Sequence, residues 1–205
     1  MKVLVETNFV LELVFSRDKF ASCLALLEMA EKKEIDLLLP AYSFVEPNEA
    51  IIRRQRNRTQ TRDTLVREVA EIKRSTPFEE PANQLAELTG LLTRVGEVEQ
   101  QELRNVTSEL LRVASVIDLN ASILREAVAL QDQLSMSPQD AVVFASVLSA
   151  LRQQGGPACF ITRNSKDFSV PAITDSLALH DCSVLYDFEN GLNFVRSRLG
   201  GAKPE

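Results

Sequence analysis

The sequence predicts an α/β fold of three layers, with helices on both faces of a central, mainly parallel sheet and a helical insertion. Three features carry that expectation. The chain opens on Lys2-Val3-Leu4-Val5, an apolar, β-branched run without alternation, the pattern of a strand buried on both faces. A helical period and a second short apolar run follow before Pro40, and strand, helix, strand in succession is how a parallel sheet begins. Farther on, a long helical stretch without strand signals leads to a third core run, Ala158-Cys159-Phe160-Ile161-Thr162.

At 205 residues the chain is long for one typical domain and short for two. It reads as a single domain over 1–205, with the insertion at about 54–115 and a loose tail over 200–205. Charged residues make up 25% and apolar ones 45%, which fits a packed core and argues against disorder. No apolar run reaches the length of a membrane span, and Glu6 interrupts the first one too early for a secretory signal, so the cytoplasm is expected. Cys23, Cys159 and Cys182 lie far apart in apolar segments and are expected as buried thiols. His180 is the only histidine and has no serine or cysteine pattern near it, which removes most His-dependent chemistry. The net charge of −6 argues against adhesion to nucleic acid through the whole surface, though not through a local strip.

In chain order, Phe20, Leu24, Leu27 and Ala30, with Cys23 and Leu26 beside them, recur at three- and four-residue steps and predict a helix over about 17–33. The run 34–40 is the second strand, stopped by Pro40. Ser43 and Glu46 have capping-box spacing and mark a helix start. That helix carries Arg53, Arg54, Arg56 and Arg58, continuing to Arg62, Arg67, Lys73 and Arg74. Such a strip either tracks phosphates through guanidinium contacts or forms a solvated face paired with Asp63, Glu68 and Glu71.

Pro77 and Pro81 predict a break. After it, Leu85, Leu88, Leu92, Val95, Val106, Leu110 and Val113 step through a helical region that resembles a heptad seam interrupted by Glu99 and Glu102. It reads as a helical insertion packed on the domain or on a second subunit. Ile123, Ala127 and Leu130 give the next helix face. Ser137-Pro138-Gln139-Asp140 then opens a nearly all-apolar helix, with serine at the cap, proline at the first position and an acid at the third. Gly155-Gly156-Pro157 ends it before the third strand. A last strand over 180–185 and a terminal helix over 190–199 complete the chain.

Four polar sites distant in sequence fall at comparable structural places. Glu6 ends a strand, Glu46 and Asp140 start helices, and Asn164 with Asp167 follows a strand, so on a parallel sheet all share the carboxyl edge where ligands bind. Gathered carboxylates repel one another unless a cation is present, and an all-oxygen set without Cys or His suits Mg²⁺ or Mn²⁺. Taken singly, Glu46 and Asp140 also read as helix-capping acids, Glu6 as a solvated strand end and Asn164 as a turn residue.

The motifs Val3-Leu4-Val5-Glu6-Thr7-Asn8, Ser43-x-x-Glu46, Asp140-Ala141-x-x-x-Ala145 and Phe160-Ile161-Thr162-Arg163-Asn164-x-x-Asp167-Phe168 resemble, in order and spacing, the PIN domain. That family includes the ribonuclease toxins of toxin–antitoxin pairs and several RNA-processing nucleases. The resemblance covers most of the chain outside about 54–115. It implies a metal-dependent endoribonuclease with Mg²⁺ or Mn²⁺ as cofactor and RNA as substrate. Glu6, Glu46, Asp140 and Asp167 take the catalytic positions, and Glu6, Asp140 and Asn164 the metal-binding ones. Thr7, Asn8 and Thr162 would orient the first ligand by hydrogen bonds, and Arg53, Arg54, Arg56 and Arg58 are candidates for binding RNA. A protein antitoxin and a homodimer are the partners that family habit implies.

The chain departs from the family at Glu6, where Asp is usual, and at Asn164, often acidic there. A second reading follows: a degenerate domain of the same fold that binds RNA or protein without turnover. Two other acidic-site classes fit less well. A haloacid-dehalogenase-like phosphatase needs an Asp-x-Asp pair where this chain has Glu6-Thr7-Asn8, and a receiver domain needs an Asp ending a middle strand where this chain has Leu39-Pro40.

Overall fold

The computed structural model describes residues 1–200, without the side chains of Glu79 and Leu88. Of the tail expected over 200–205, residues 201–205 lie outside the described residues, as does Leu88 as a seam residue. Two compact units are present, Met1–Glu46 together with the chain from Val106, and Pro47–Asn105.

The first unit holds the sheet. Its strands β1 (Lys2–Val5), β2 (Asp36–Pro40), β3 (Ser115–Ile117), β4 (Ala158–Ile161) and β5 (Cys182–Leu185) are all parallel, in the order β3-β2-β1-β4-β5. β1 is central because its Val3, Leu4 and Val5 are buried on both faces, as the unalternated run predicts. The order reverses between β1 and β4, where Val5 pairs with Ile161. That is the topological switch point at which open α/β sheets leave a crevice.

Helices cover both faces. α1 (Thr7–Phe15) and α2 (Phe20–Glu31) follow β1, and α5 (Ala121–Leu134) and α6 (Pro138–Gln153) precede β4. Short helices α7 (Ser165–Phe168) and α8 (Pro171–Ala178) lead to β5, and α9 (Phe188–Gly200) closes the described chain. Leu4, Leu38 and Phe160 pack with Phe144, Val147 and Leu148 of α6 and Ile123 of α5. Strand alternation sends Val3, Val5, Leu37, Leu39, Cys159 and Ile161 to the other face, all buried. There the Phe9 ring meets Phe188 edge-on at 5.6 Å. The chain is thus an α/β/α sandwich. No single described helix is long and apolar enough to cross a membrane.

Several boundaries differ from the sequence reading. The apolar run continues past Glu6 as helix α1, with Glu6 itself as the cap. β3 and α8 carry no strong periodic signal and were not expected. α9 runs through Gly200, a residue expected in the tail. The thiols of Cys23, Cys159 and Cys182 are free and buried, as their apolar settings imply. Burial pushes Cys159 and Cys182 up to about 12 and Cys23 higher still, which leaves all three unreactive.

α3 (Tyr42–Ile72) and α4 (Glu79–Val113) are the two long helices, joined through a short 3-10 turn, Thr76–Phe78. The second unit contains most of both. Pro47 interrupts the hydrogen-bond ladder near the start of α3, and that unit begins there. Pro81, expected to mark a break, is accommodated in the first turn of α4, where N–H groups lack helical partners anyway. Glu99 does not interrupt the seam but lies in it, buried, and receives both guanidinium nitrogens of Arg58 at 2.5 and 2.6 Å. Arg54 stands 3.7 Å from the same carboxylate.

Two stability outcomes follow. A Cβ on Gly191 of α9 would sit 2.5 Å from Ile161 Cδ1 and 2.8 Å from its Cγ2 in a filled core, so Gly191→Ala should destabilise by about 1–3 kcal/mol in urea denaturation. Arg58→Met strands a buried carboxylate with only the distant Arg54 to answer it, and should cost about 3 kcal/mol in the same measurement.

Candidate active site

The site is assembled by the register of two strands. Because Val5 pairs with Ile161, the next residues, Glu6 and Thr162, leave the sheet side by side. Thr162 Oγ1 donates to Glu6 Oε1 at 3.0 Å in a fully buried bond. Glu6 also caps α1, its Oε2 accepting from Asn8 N at 2.8 Å and its Oε1 from Asn8 Nδ2 at 2.9 Å. Glutamate is an unusual cap, since shorter acids and hydroxyls reach the first-turn amides more readily. Here the extra methylene is accommodated, and the carboxylate meets three donors.

Thr162 extends the chain of bonds. Its Oγ1 accepts from Asn164 N at 2.9 Å, and Asn164 Nδ2 donates to Asp140 Oδ1 at 2.9 Å. Asp140 stands in the first turn of α6, where Ser137 caps the helix by accepting Asp140 N at 3.1 Å and bonds Asp140 Oδ2 at 2.5 Å. The cap predicted from Ser137-Pro138 is therefore formed, and it aims the acid back toward the sheet edge. From the opposite side Thr7 Oγ1 donates to Glu46 Oε2.

Glu6, Thr7, Asn8, Glu46, Asp140, Thr162 and Asn164 are thus gathered at one edge, from four separate segments. Asp167 is not hydrogen-bonded into this set; it lies half-buried on α7. The expected capping box at Ser43 is not formed, because α3 already begins at Tyr42 and places Ser43 inside the helix. The Ser43 hydroxyl is buried without a hydrogen-bond partner among the described residues. Arg53, Arg54, Arg56 and Arg58 all lie in the second unit, and Arg58 is engaged by Glu99.

Electrostatically, Glu6 is the anomalous member. Burial raises its pKa above the ordinary 4.5, the Asn8 and Thr162 bonds pull it back, and the nearby Glu46 charge raises it further. Burial is the largest of these causes and the Glu46 charge the smallest.

Glu12 and Arg163 were missed in the sequence. Glu12 lies in the middle of α1, 1% exposed, and pairs with Arg163 Nη1 at 2.5 Å. The available signal was an acid inside the apolar run Val10-Leu11-Glu12-Leu13-Val14, which has no place in a buried helix unless it is paired.

Among the described residues, no three His, Cys, Asp or Glu side chains stand together as a ready cage for a metal ion. A hard divalent ion does not need one. Mg²⁺ is commonly held by one or two carboxylates, with water and substrate phosphate completing the shell. Asp140, half-buried with one protein donor on each oxygen, keeps lone pairs free on both. The all-oxygen donor set fits such an ion.

No protein-family model matches the chain, and no curated protein matches it. Among solved structures the chain is similar to that of VapBC2 from Rickettsia felis bound to a DNA fragment from their promoter. The TM-score is 0.45 and the identity 15%, over 90% of this chain and 97% of that one.

Burial holds the Glu6 proton more tightly in the folded chain than in the unfolded one. What this residue contributes is present below pH 4.5 and lost as pH rises through the raised folded value. Glu6→Gln, which cannot ionise, should therefore gain in melting temperature relative to the parent as pH climbs from about 4 to about 8. A difference independent of pH would count against burial as the cause.

Proposed function

We propose that the chain is a divalent-cation-dependent nuclease that hydrolyses RNA phosphodiester bonds, working at the carboxyl edge between β1 and β4. The observation that carries this is the convergence of Glu6, Glu46, Asp140 and Asn164 from four segments at the topological switch point of a parallel sheet. The matching order of motifs supports it.

Asp140 and the Asn164 amide oxygen would hold Mg²⁺ or Mn²⁺ at the half-exposed end of the network, and Glu6 would adjoin them through Thr162. When bound, the ion neutralises phosphate charge and lowers the pKa of a coordinated water. The chain's own residues do the rest. Thr162 and Asn8 fix the Glu6 carboxylate, Ser137 fixes Asp140, and Glu46, held by Thr7, is the acid placed to accept a proton. A protein antitoxin that covers this edge is part of the same reading.

A second reading has its own observation. Both Glu6 oxygens already accept protein hydrogen bonds in a buried setting, which suits a degenerate domain that binds RNA or protein without turnover.

Purified protein should cleave RNA with Mn²⁺, and Asp140→Asn should reduce the rate to about one hundredth or less while leaving the melting temperature within a few degrees. Unchanged cleavage in that variant sinks the nuclease assignment. RNA binding without cleavage, and without Mn²⁺ uptake by calorimetry, selects the second reading.

A further inference from the structure

A carboxylate at 1% exposure in the middle of a helix is costly to desolvate, and the fold has compensated Glu12 from two directions. Its Oε2 accepts Lys19 N at 3.1 Å, and its Oε1 accepts Arg163 Nη1 at 2.5 Å. Arg163 is the residue between Thr162 and Asn164, the two that link Glu6 to Asp140. The turn that carries them has no regular structure between Ile161 and Ser165.

α1 therefore grips this turn twice. Near its N-terminus Glu6 takes the Thr162 hydroxyl, and six residues on, about 9 Å along the helix axis, Glu12 takes the Arg163 guanidinium. The Thr162 bond alone ties α1 only to the first residue of the turn. Two attachments fix its orientation, and with it the direction in which Asn164 faces Asp140. Such an ion pair is a poor device for stability alone but a specific one for geometry, since the buried Glu12 carboxylate needs a donor brought to it and Arg163 is the side chain that reaches it.

The geometry points to Glu12 and Arg163 as positioning residues for the acidic site, acting through the 162–164 turn. Their relevance to catalysis rests on the nuclease reading above, whereas the positioning itself is measurable in the metal-free protein. Lys19 belongs to the same anchor through its backbone only. Its ammonium is committed to Asp187 at 3.2 Å and Glu189 at 2.8 Å, so it is not a substitute partner for Glu12.

The test uses the full chain with Arg163→Met, Glu12→Gln, the double variant and Arg163→Lys. Amide hydrogen exchange at Asn164, whose N–H is held by Thr162, should lose protection by about tenfold or more in Arg163→Met, with amides of β1 unchanged. The double variant should be no worse than the worse single one, and Arg163→Lys should recover part of the loss. Mn²⁺ affinity should fall by about 10- to 100-fold in parallel.

Unchanged Asn164 protection in folded Arg163→Met overturns the inference, as does a loss spread equally over β1 and β4. If Glu12→Gln does not fold, Arg163→Met decides alone, because that side chain is 37% exposed and leaves no cavity sealed from water. If the parent protein neither binds Mn²⁺ nor cleaves RNA, the nuclease reading falls, and the exchange result still decides whether the pair positions the turn.

Discussion

The bond from Thr162 to Glu6 is the constraint on which the rest of this edge depends. It exists because β1 and β4 pair in parallel with Val5 opposite Ile161, so the two chains leave the sheet together and their first polar residues meet. Everything else at the edge is reached from that bond. Glu6 starts α1, and α1 carries Thr7 to Glu46. Thr162 holds Asn164, and Asn164 holds Asp140. A slip of one residue in the β1–β4 register would place Val5 or Thr7 opposite Thr162 and turn the core face of the strand outward. The fully buried Val3, Leu4, Cys159 and Phe160 make that slip costly, so hydrophobic packing several residues away enforces the polar geometry.

Glu6 answers to two opposed demands. As a helix cap it accepts amide and hydroxyl donors, which favours its charged form, while burial and the neighbouring Glu46 favour the proton. Burial is the largest of these influences, and the net direction is upward. One glutamate carboxylate thus serves the α1 amide and the β4 hydroxyl together.

What could be read from the sequence was what depends on near neighbours. The unalternated run at Val3-Leu4-Val5, the Ser137-Pro138 cap of α6 and the strand at Ala158–Ile161 are local patterns, and all three are present. That Glu6 and Asn164 leave the same edge of the sheet was legible through topology, because parallel strands bring their carboxyl ends to one edge whatever the loops do. Glu12–Arg163 was not, since the partners are far apart in sequence and each looks ordinary alone. The Ser43 box failed for a local reason: the capping pattern does not say which residue starts the helix, and Tyr42 starts it. Ser115–Ile117 is too short and too exposed to show an apolar period.

The basic stretch of α3 shows how pairing at a distance changes a reading of charge. Between Ala50 and Arg67 lie Arg53, Arg54, Arg56, Arg58, Arg62 and Arg67 against the single acid Asp63, which on sequence is a strip for phosphate. In the fold, Glu99 takes Arg58 and draws Arg54, and Asp63 takes Arg62. Arg53, Arg56 and Arg67 remain without an ion pair among the described residues. Three such cations, were each to meet a phosphate of a single strand, would give a salt slope of only about two, so the count of arginines in the sequence overstates the strip.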